Sequence, residues 1–251
     1  MKLKIKYYIS IIICSNIIGN IIAYFFDNMI PFKNNKDLVF DCNSSQIKGS
    51  TKAQIFFGIY ESAEYRFCKK YIDNNSNVIE LGSSIGLIST IISKYKKPKK
   101  IITVEANPDL INVIESNFNR NNVINYTIIN KAISSSNKNK FWFCYGNDNT
   151  TGYISLNSTL DSIPVDSTTL LDILKFNTFK TYTLVCDIEG AEVNILFNDT
   201  SAFDNCYLMI IELHEVNYND KIYYIDELLK QIIKIGFKQI DRYGNSFVFS
   251  K

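Results

Sequence analysis

The chain has 251 residues, 46% hydrophobic and 21% charged, a length and composition that suit one α/β domain with a short appendage and exclude a largely disordered chain. The formal net charge is only +2, and no basic stripe is interleaved with aromatics, so a nucleic-acid partner is not expected.

Lys2, Lys4 and Lys6 precede an uncharged run from Tyr7 to Phe26, which Asp27 closes. A run of roughly 20 apolar residues matches a bilayer-spanning helix, and the lysines would hold its start in the cytoplasm. The expectation is a hydrophobic segment over residues 1–26, with membrane association through residues 7–26 and an otherwise cytoplasmic protein. A cleaved signal, or a helix packed on the domain or a partner, stays open beside it. Residues 27–58 read as a turn-rich lead-in with short β pieces such as Leu38-Val39-Phe40, and residues 59–251 as the main domain.

Within that domain, the spacing of Tyr65, Cys68, Lys69 and Ile72 predicts a helix over 62–72. Val78-Ile79-Glu80-Leu81 reads as a buried strand that opens into Gly82-Ser83-Ser84-Ile85-Gly86, after which Leu87, Ile88, Ile91 and Ile92 keep helical spacing. A strand from Ile101 to Glu105, Pro108 at a helix start, and Leu110, Val113, Ile114 and Phe118 repeat the rhythm, which implies parallel pairing. Further strands are predicted at Tyr126 to Ile129, Thr183 to Asp187 and Tyr207 to Glu212, with a β insertion around Phe141 to Tyr145. Ile225 to Ile235 forms an amphipathic helix. Phe237 to Ile240 and Ser246 to Ser250 make a terminal hairpin around Tyr243-Gly244-Asn245.

Ligands of open α/β sheets bind outside the carboxyl ends of the strands. Gly82 and Gly86 occupy such a turn, and Glu105 ends the next strand, where an acid accepts hydrogen bonds from ribose hydroxyls. Position 84 is serine where GxGxxG has its middle glycine, and Glu80 would repel a pyrophosphate. A nucleoside cofactor without phosphates therefore fits better than a dinucleotide; a bare tight turn is the alternative for the glycines alone. Asp187-Ile188-Glu189-Gly190-Ala191-Glu192 brings three carboxylates to the same edge, although acids in a first helical turn are also favoured by the helix dipole. His214, the only histidine, follows Glu212 and is a candidate general base, with a structural loop histidine as the alternative. The six scattered cysteines read as reduced core residues, and no metal ligands are assigned.

Taken together, Asn77 to Leu87, Thr103 to Pro108, Cys186 to Glu192 and Ile211 to His214 resemble the FkbM family of methyltransferases. Gly58-Ile59-Tyr60-Glu61 resembles its opening motif, and Ile163 to Leu170 the segment before its acidic motif. The family's first motif usually reads D-x-G-A-N-x-G; here Glu80 replaces the acid and Ser83-Ser84 replace Ala-Asn. The resemblance implies the class I methyltransferase (Rossmann-like) fold: a mostly parallel seven-stranded sheet, helices on both faces and an antiparallel C-terminal hairpin. It implies S-adenosylmethionine as cofactor, held by Glu80, Gly82, Ser84, Gly86 and Glu105, with Ala106 and Asp187 completing the set. The implied reaction is O-methylation of a hydroxyl on a sugar, glycan or other small metabolite, with Asp187, Glu189 and His214 as the catalytic residues. Two alternatives are a cation-dependent O-methyltransferase, with Mg²⁺ on Asp187, Glu189 and Glu212, and an inactive membrane-tethered binding module. The oligomeric state is left open.

Overall fold

The computed structural model describes residues 12–27, 29–32, 35–43, 47–134, 140–146, 152–218 and 221–251. Helix α1 (Asn16–Phe25) starts at Ser15, whose hydroxyl accepts the Ile18 N–H at 3.4 Å. Its 10 residues rise about 15 Å, half the roughly 30 Å of a bilayer core. Among the described residues no helix is long and apolar enough to cross a membrane, so the expected membrane association through residues 7–26, and the location inferred from it, are corrected. Residues 1–11 of that segment lie outside the described residues.

The helix packs on the domain through its small residues, Gly19 and Ala23, while Ile17, Ile21, Tyr24 and Phe25 stay exposed. Gly19 of α1 meets Gly49 of helix α2 (Gly49–Phe57) so closely that a Cβ on Gly19 would stand 1.6 Å from the Gly49 carbonyl oxygen, and a Cβ on Gly49 2.1 Å from that of Asn16. Between the helices, strands β1 (Met29–Phe32) and β2 (Asn35–Asp41) form an antiparallel hairpin with Ile30, Phe32, Leu38 and Phe40 buried. The β-rich lead-in thus ends early: residues 49–57 are helical, closed by Gly58 at φ 66°.

Helix α3 (Ser62–Tyr71) leads into β3 (Asn77–Leu81), α4 (Leu87–Lys96), β4 (Lys100–Glu105), α5 (Ile111–Arg120) and β5 (Tyr126–Asn130). A second sheet follows, in the order β6 (Ala132–Ile133), β9 (Ser162–Thr168), β7 (Lys140–Tyr145), β8 (Gly152–Ser155). After α6 (Leu170–Phe176), the chain returns through β10 (Tyr182–Cys186), α7 (Glu192–Asn198) and β11 (Cys206–Glu212). A small hairpin, β12 (Val216–Tyr218) with β13 (Lys221–Tyr223), precedes α8 (Ile225–Lys234), β14 (Lys238–Tyr243) and β15 (Ser246–Ser250).

The central sheet has seven strands in the order β14-β15-β11-β10-β3-β4-β5. β11, β10, β3, β4 and β5 run parallel, and β15 lies antiparallel to both β11 and β14. Alternation along β3 sends Val78 to one core layer, with Phe67, Ile91, Ile114 and Phe118, and Ile79 to the other, with Leu170, Leu196, Leu228 and Ile232. Helices therefore cover both faces, as both-sided burial of a parallel sheet requires. This is the class I methyltransferase fold, and the chain order reverses between β3 and β10, at the switch point where such sheets open a crevice. All six cysteines are free thiols, five buried and Cys14 partly exposed.

Candidate active site

β3 ends at the switch point and turns through Gly82 (φ 80°), Ser84 (φ 49°) and Gly86 (φ 76°), three left-handed residues that Cβ-bearing side chains resist. At Gly82 the requirement is steric as well: a Cβ there would stand 1.7 Å from the Asp187 carbonyl oxygen. The turn is tied down from β4, because the two Glu105 oxygens accept the N–H groups of Ser84 at 2.7 Å and Asn107 at 2.8 Å. Burial nevertheless lifts the Glu105 carboxyl to about 7. Beneath the turn, Glu80 faces away from the opening: it accepts the Ser89 hydroxyl, lies 3.4 Å from that of Thr103, and is raised by burial to about 8.

A cavity opens above this turn. Of the residues expected to hold the cofactor, Gly82, Ser84, Glu105, Ala106 and Asp187 line it, and Glu80 and Gly86 do not. Its wall on the β4 side is apolar, with Ala106, Ile133, Phe143 and Ile154, and the second sheet supplies the last three. Toward β10 it turns acidic with Glu61, Asp187 and Glu189. Glu61 stands in a left-handed turn (φ 49°) ahead of α3. Its Oε2 is buried without a hydrogen-bond partner among the described residues, and burial, with Glu80, Glu64 and Asp187 nearby, holds its carboxyl well above the usual range. Sequence reasoning gave Glu61 no role; its only signal was its place behind Gly58 and Tyr60, whose hydroxyl lies 2.9 Å from that of Ser84.

The acidic loop after β10 makes two left-handed turns, at Glu189 (φ 50°) and Gly190 (φ 95°). Helix α7 begins only at Glu192, so Glu189 and Glu192 share no helical face. Glu192 is wholly buried, and its Oε1 lies 3.2 Å from both the Ile188 N–H and Nδ1 of His214. The other ring nitrogen of His214, Nε2, is 3.5 Å from Glu189. Desolvation alone would lower the imidazole, but the hydrogen bond to Glu192 and the charges of Glu192, Asp187 and Glu189 outweigh it and raise it to about 9. Left to its carboxylates alone, the imidazole favours its protonated form, and a cation in their midst would compete with the Nε2 proton. Asp187 is raised by burial and by Glu212, and its Oδ1 is buried and unpartnered among the described residues. Glu212 turns to Ser246, 3.4 Å away.

A family model described as the TRM5/TYW2 methyltransferase domain matches residues 49–140. That stretch carries the glycine turn and Glu105. The resemblance to the FkbM family is overturned by this match, and with it the exclusion of nucleic acid: a net charge near zero describes the whole surface and says nothing of the acceptor. No curated protein matches the chain. Solved structures to which the chain is similar include precorrin-6y C5,15-methyltransferase from Geobacter metallireducens GS-15 (TM-score 0.46, 12% identity, 88% of this chain and 98% of that one). TYW2 of M. jannaschii in complex with AdoMet has a TM-score of 0.43 and 15% identity over 85% of this chain and 80% of that one. An rRNA methylase from Streptococcus thermophilus has a TM-score of 0.44 and 10% identity over 74% and 92%.

The residues fit S-adenosylmethionine. The turn leaves no room for a side chain at Gly82, Glu105 ends β4 at the cavity, and a buried Glu61 oxygen without a partner among the described residues suits a positive group better than a phosphate. The chain is an S-adenosylmethionine-dependent methyltransferase.

Proposed function

We propose that the chain transfers the methyl group of S-adenosylmethionine to an oxygen or nitrogen of an acceptor admitted beside Asp187, with RNA the first acceptor class to test. The observation that carries this is the cavity itself, apolar toward Ala106 and Phe143 and acidic toward Glu61 and Asp187. Glu105 holds the ribose, the apolar wall the nucleobase, and Glu61 the cofactor's ammonium. The cofactor supplies the electrophilic methyl; the protein supplies alignment, which is the larger part of the acceleration in such a displacement. Asp187 receives the acceptor's proton, and Glu189 with His214 orients the acceptor. The family match is the support for RNA. The carboxylates at the mouth favour a neutral reacting group, a base or a hydroxyl, over a phosphate.

Calorimetry with S-adenosylmethionine tests the cofactor reading, Glu105→Ala serving as control: binding lost in the variant supports it, and no binding to the folded wild type refutes it. Methyl-labelled cofactor offered with transfer RNA, ribosomal RNA, and small hydroxylated metabolites then tests the acceptor. Label in RNA alone supports the RNA assignment; label only in a sugar or small metabolite replaces it with O-methylation of that class.

A further inference from the structure

We infer that Asp187, Glu189 and Nε2 of His214 form a divalent-cation site at the acidic end of the cavity. One oxygen of each carboxylate and one imidazole nitrogen lie within 4.8 Å of one another. Two donors bonded at roughly 2.0–2.2 Å to one ion stand about 3–3.6 Å apart when adjacent and at most about 4.4 Å when opposite, so the group needs to close by on the order of 1 Å.

Independent features of the surroundings point the same way. Ligating histidines regularly give their other ring N–H to a carboxylate, which fixes the tautomer and aims the free nitrogen. Glu192 does this for His214: it is wholly buried, and Oε1 lies 3.2 Å from Nδ1, leaving Nε2 toward Glu189 at 3.5 Å. Asp187 Oδ1 and Glu192 Oε2 are buried oxygens without a hydrogen-bond partner among the described residues, a costly state unless a positive group completes it. The left-handed backbone at Glu189 is a conformation that non-glycine residues adopt at a cost and that gathers at ligand sites.

One nitrogen and two oxygens suit Mn²⁺, Fe²⁺ or Zn²⁺ better than an ion restricted to oxygen. The set differs from the Asp187, Glu189 and Glu212 grouping expected from sequence, because Glu212 turns to Ser246. Asp187 and Glu189 line the cavity, so the ion's open positions face the acceptor. On the methyltransferase reading, it would grip an acceptor oxygen and make its proton easier to remove.

The test is Mn²⁺ titrated into the full, untagged chain without cofactor, free ion being read by electron paramagnetic resonance. One equivalent should bind, with affinity reduced about 10-fold or more in Glu189→Gln and His214→Ala, and about 10- to 100-fold in Glu192→Gln. Glu189 is half exposed, so its variant keeps the fold, which circular dichroism verifies. Glu105→Ala, altered toward β4, should bind Mn²⁺ like the wild type while losing S-adenosylmethionine, which separates this site from the cofactor reading. Wild-type binding no tighter than that of Glu189→Gln would overturn the inference and leave His214 as the imidazolium partner of its carboxylates.

Discussion

Two glutamates, Glu80 beneath the glycine turn and Glu61 in the cavity, have different futures on substitution. Glu80 is 3% exposed and raised to about 8, far above its value in an unfolded chain. Between pH 4.5 and 8 the unfolded chain has released this proton while the folded chain keeps it, so stability falls as pH rises, by up to about 1.4 kcal/mol per unit. Glu80→Gln keeps the partners of Ser89 and Thr103 without the charge; its melting point should rise relative to wild type at pH 8 and match it near pH 4.5, as calorimetric scans would read. Glu61 acts on the ligand. Glu61→Gln should weaken S-adenosylmethionine and S-adenosylhomocysteine alike by about 10-fold, the value of a charge-assisted hydrogen bond, and leave methylthioadenosine, which lacks the ammonium, unchanged. An equal loss for all three would remove the ammonium role.

At the level of elements, the docking of α1 on α2 is set by two glycines. Gly49→Ala would press a methyl group onto the Asn16 carbonyl; such overpacking costs about 1–3 kcal/mol, and a drop in melting midpoint of roughly 2–4 °C per kcal/mol should register it. The second sheet is tied to the cofactor instead, through its one aromatic in the cavity. Phe143→Ala should weaken S-adenosylmethionine and methylthioadenosine together by roughly 3- to 10-fold, opposite in pattern to Glu61→Gln. The parallel strands and the terminal hairpin were legible because each is a short apolar run between a turn and an acid or glycine. The acids that end strands were legible for the same reason, since strand ends converge on the switch point. Glu61 and Phe143 were not, because they reach the cavity from a helix start and an inserted sheet, where no strand-end rule points. Helix α2 escaped notice because Gly49-Ser50-Thr51-Lys52 hides its apolar spacing. The uncharged run before Asp27 misled, because hydropathy counts apolar residues without showing where a helix starts: α1 begins only at Asn16 and seats Gly19 and Ala23, leaving Ile17, Ile21, Tyr24 and Phe25 exposed.

Across the whole molecule, the chain is nearly neutral and yet gathers Glu61, Glu105, Asp187 and Glu189 around one opening, with Glu80 and Glu192 buried behind them. Much of that negative potential sits in groups whose ionisation burial resists, so cationic guests should raise the melting temperature more than neutral ones of equal affinity for the apolar wall. Sinefungin, which keeps a positive centre where the sulfonium stands, should therefore stabilise the protein more than S-adenosylhomocysteine does, as thermal shift at saturating ligand would report. The thiol pattern, five shielded and Cys14 alone partly open in the turn just ahead of α1, makes the protein a ready-made single-label reagent. Burial raises the Cys14 thiol, so alkylation there is slow at neutral pH and quicker in mild alkali. A fluorophore attached at that one position, with no cysteine replaced, would give an optical readout of whether α1 stays seated while the cavity fills.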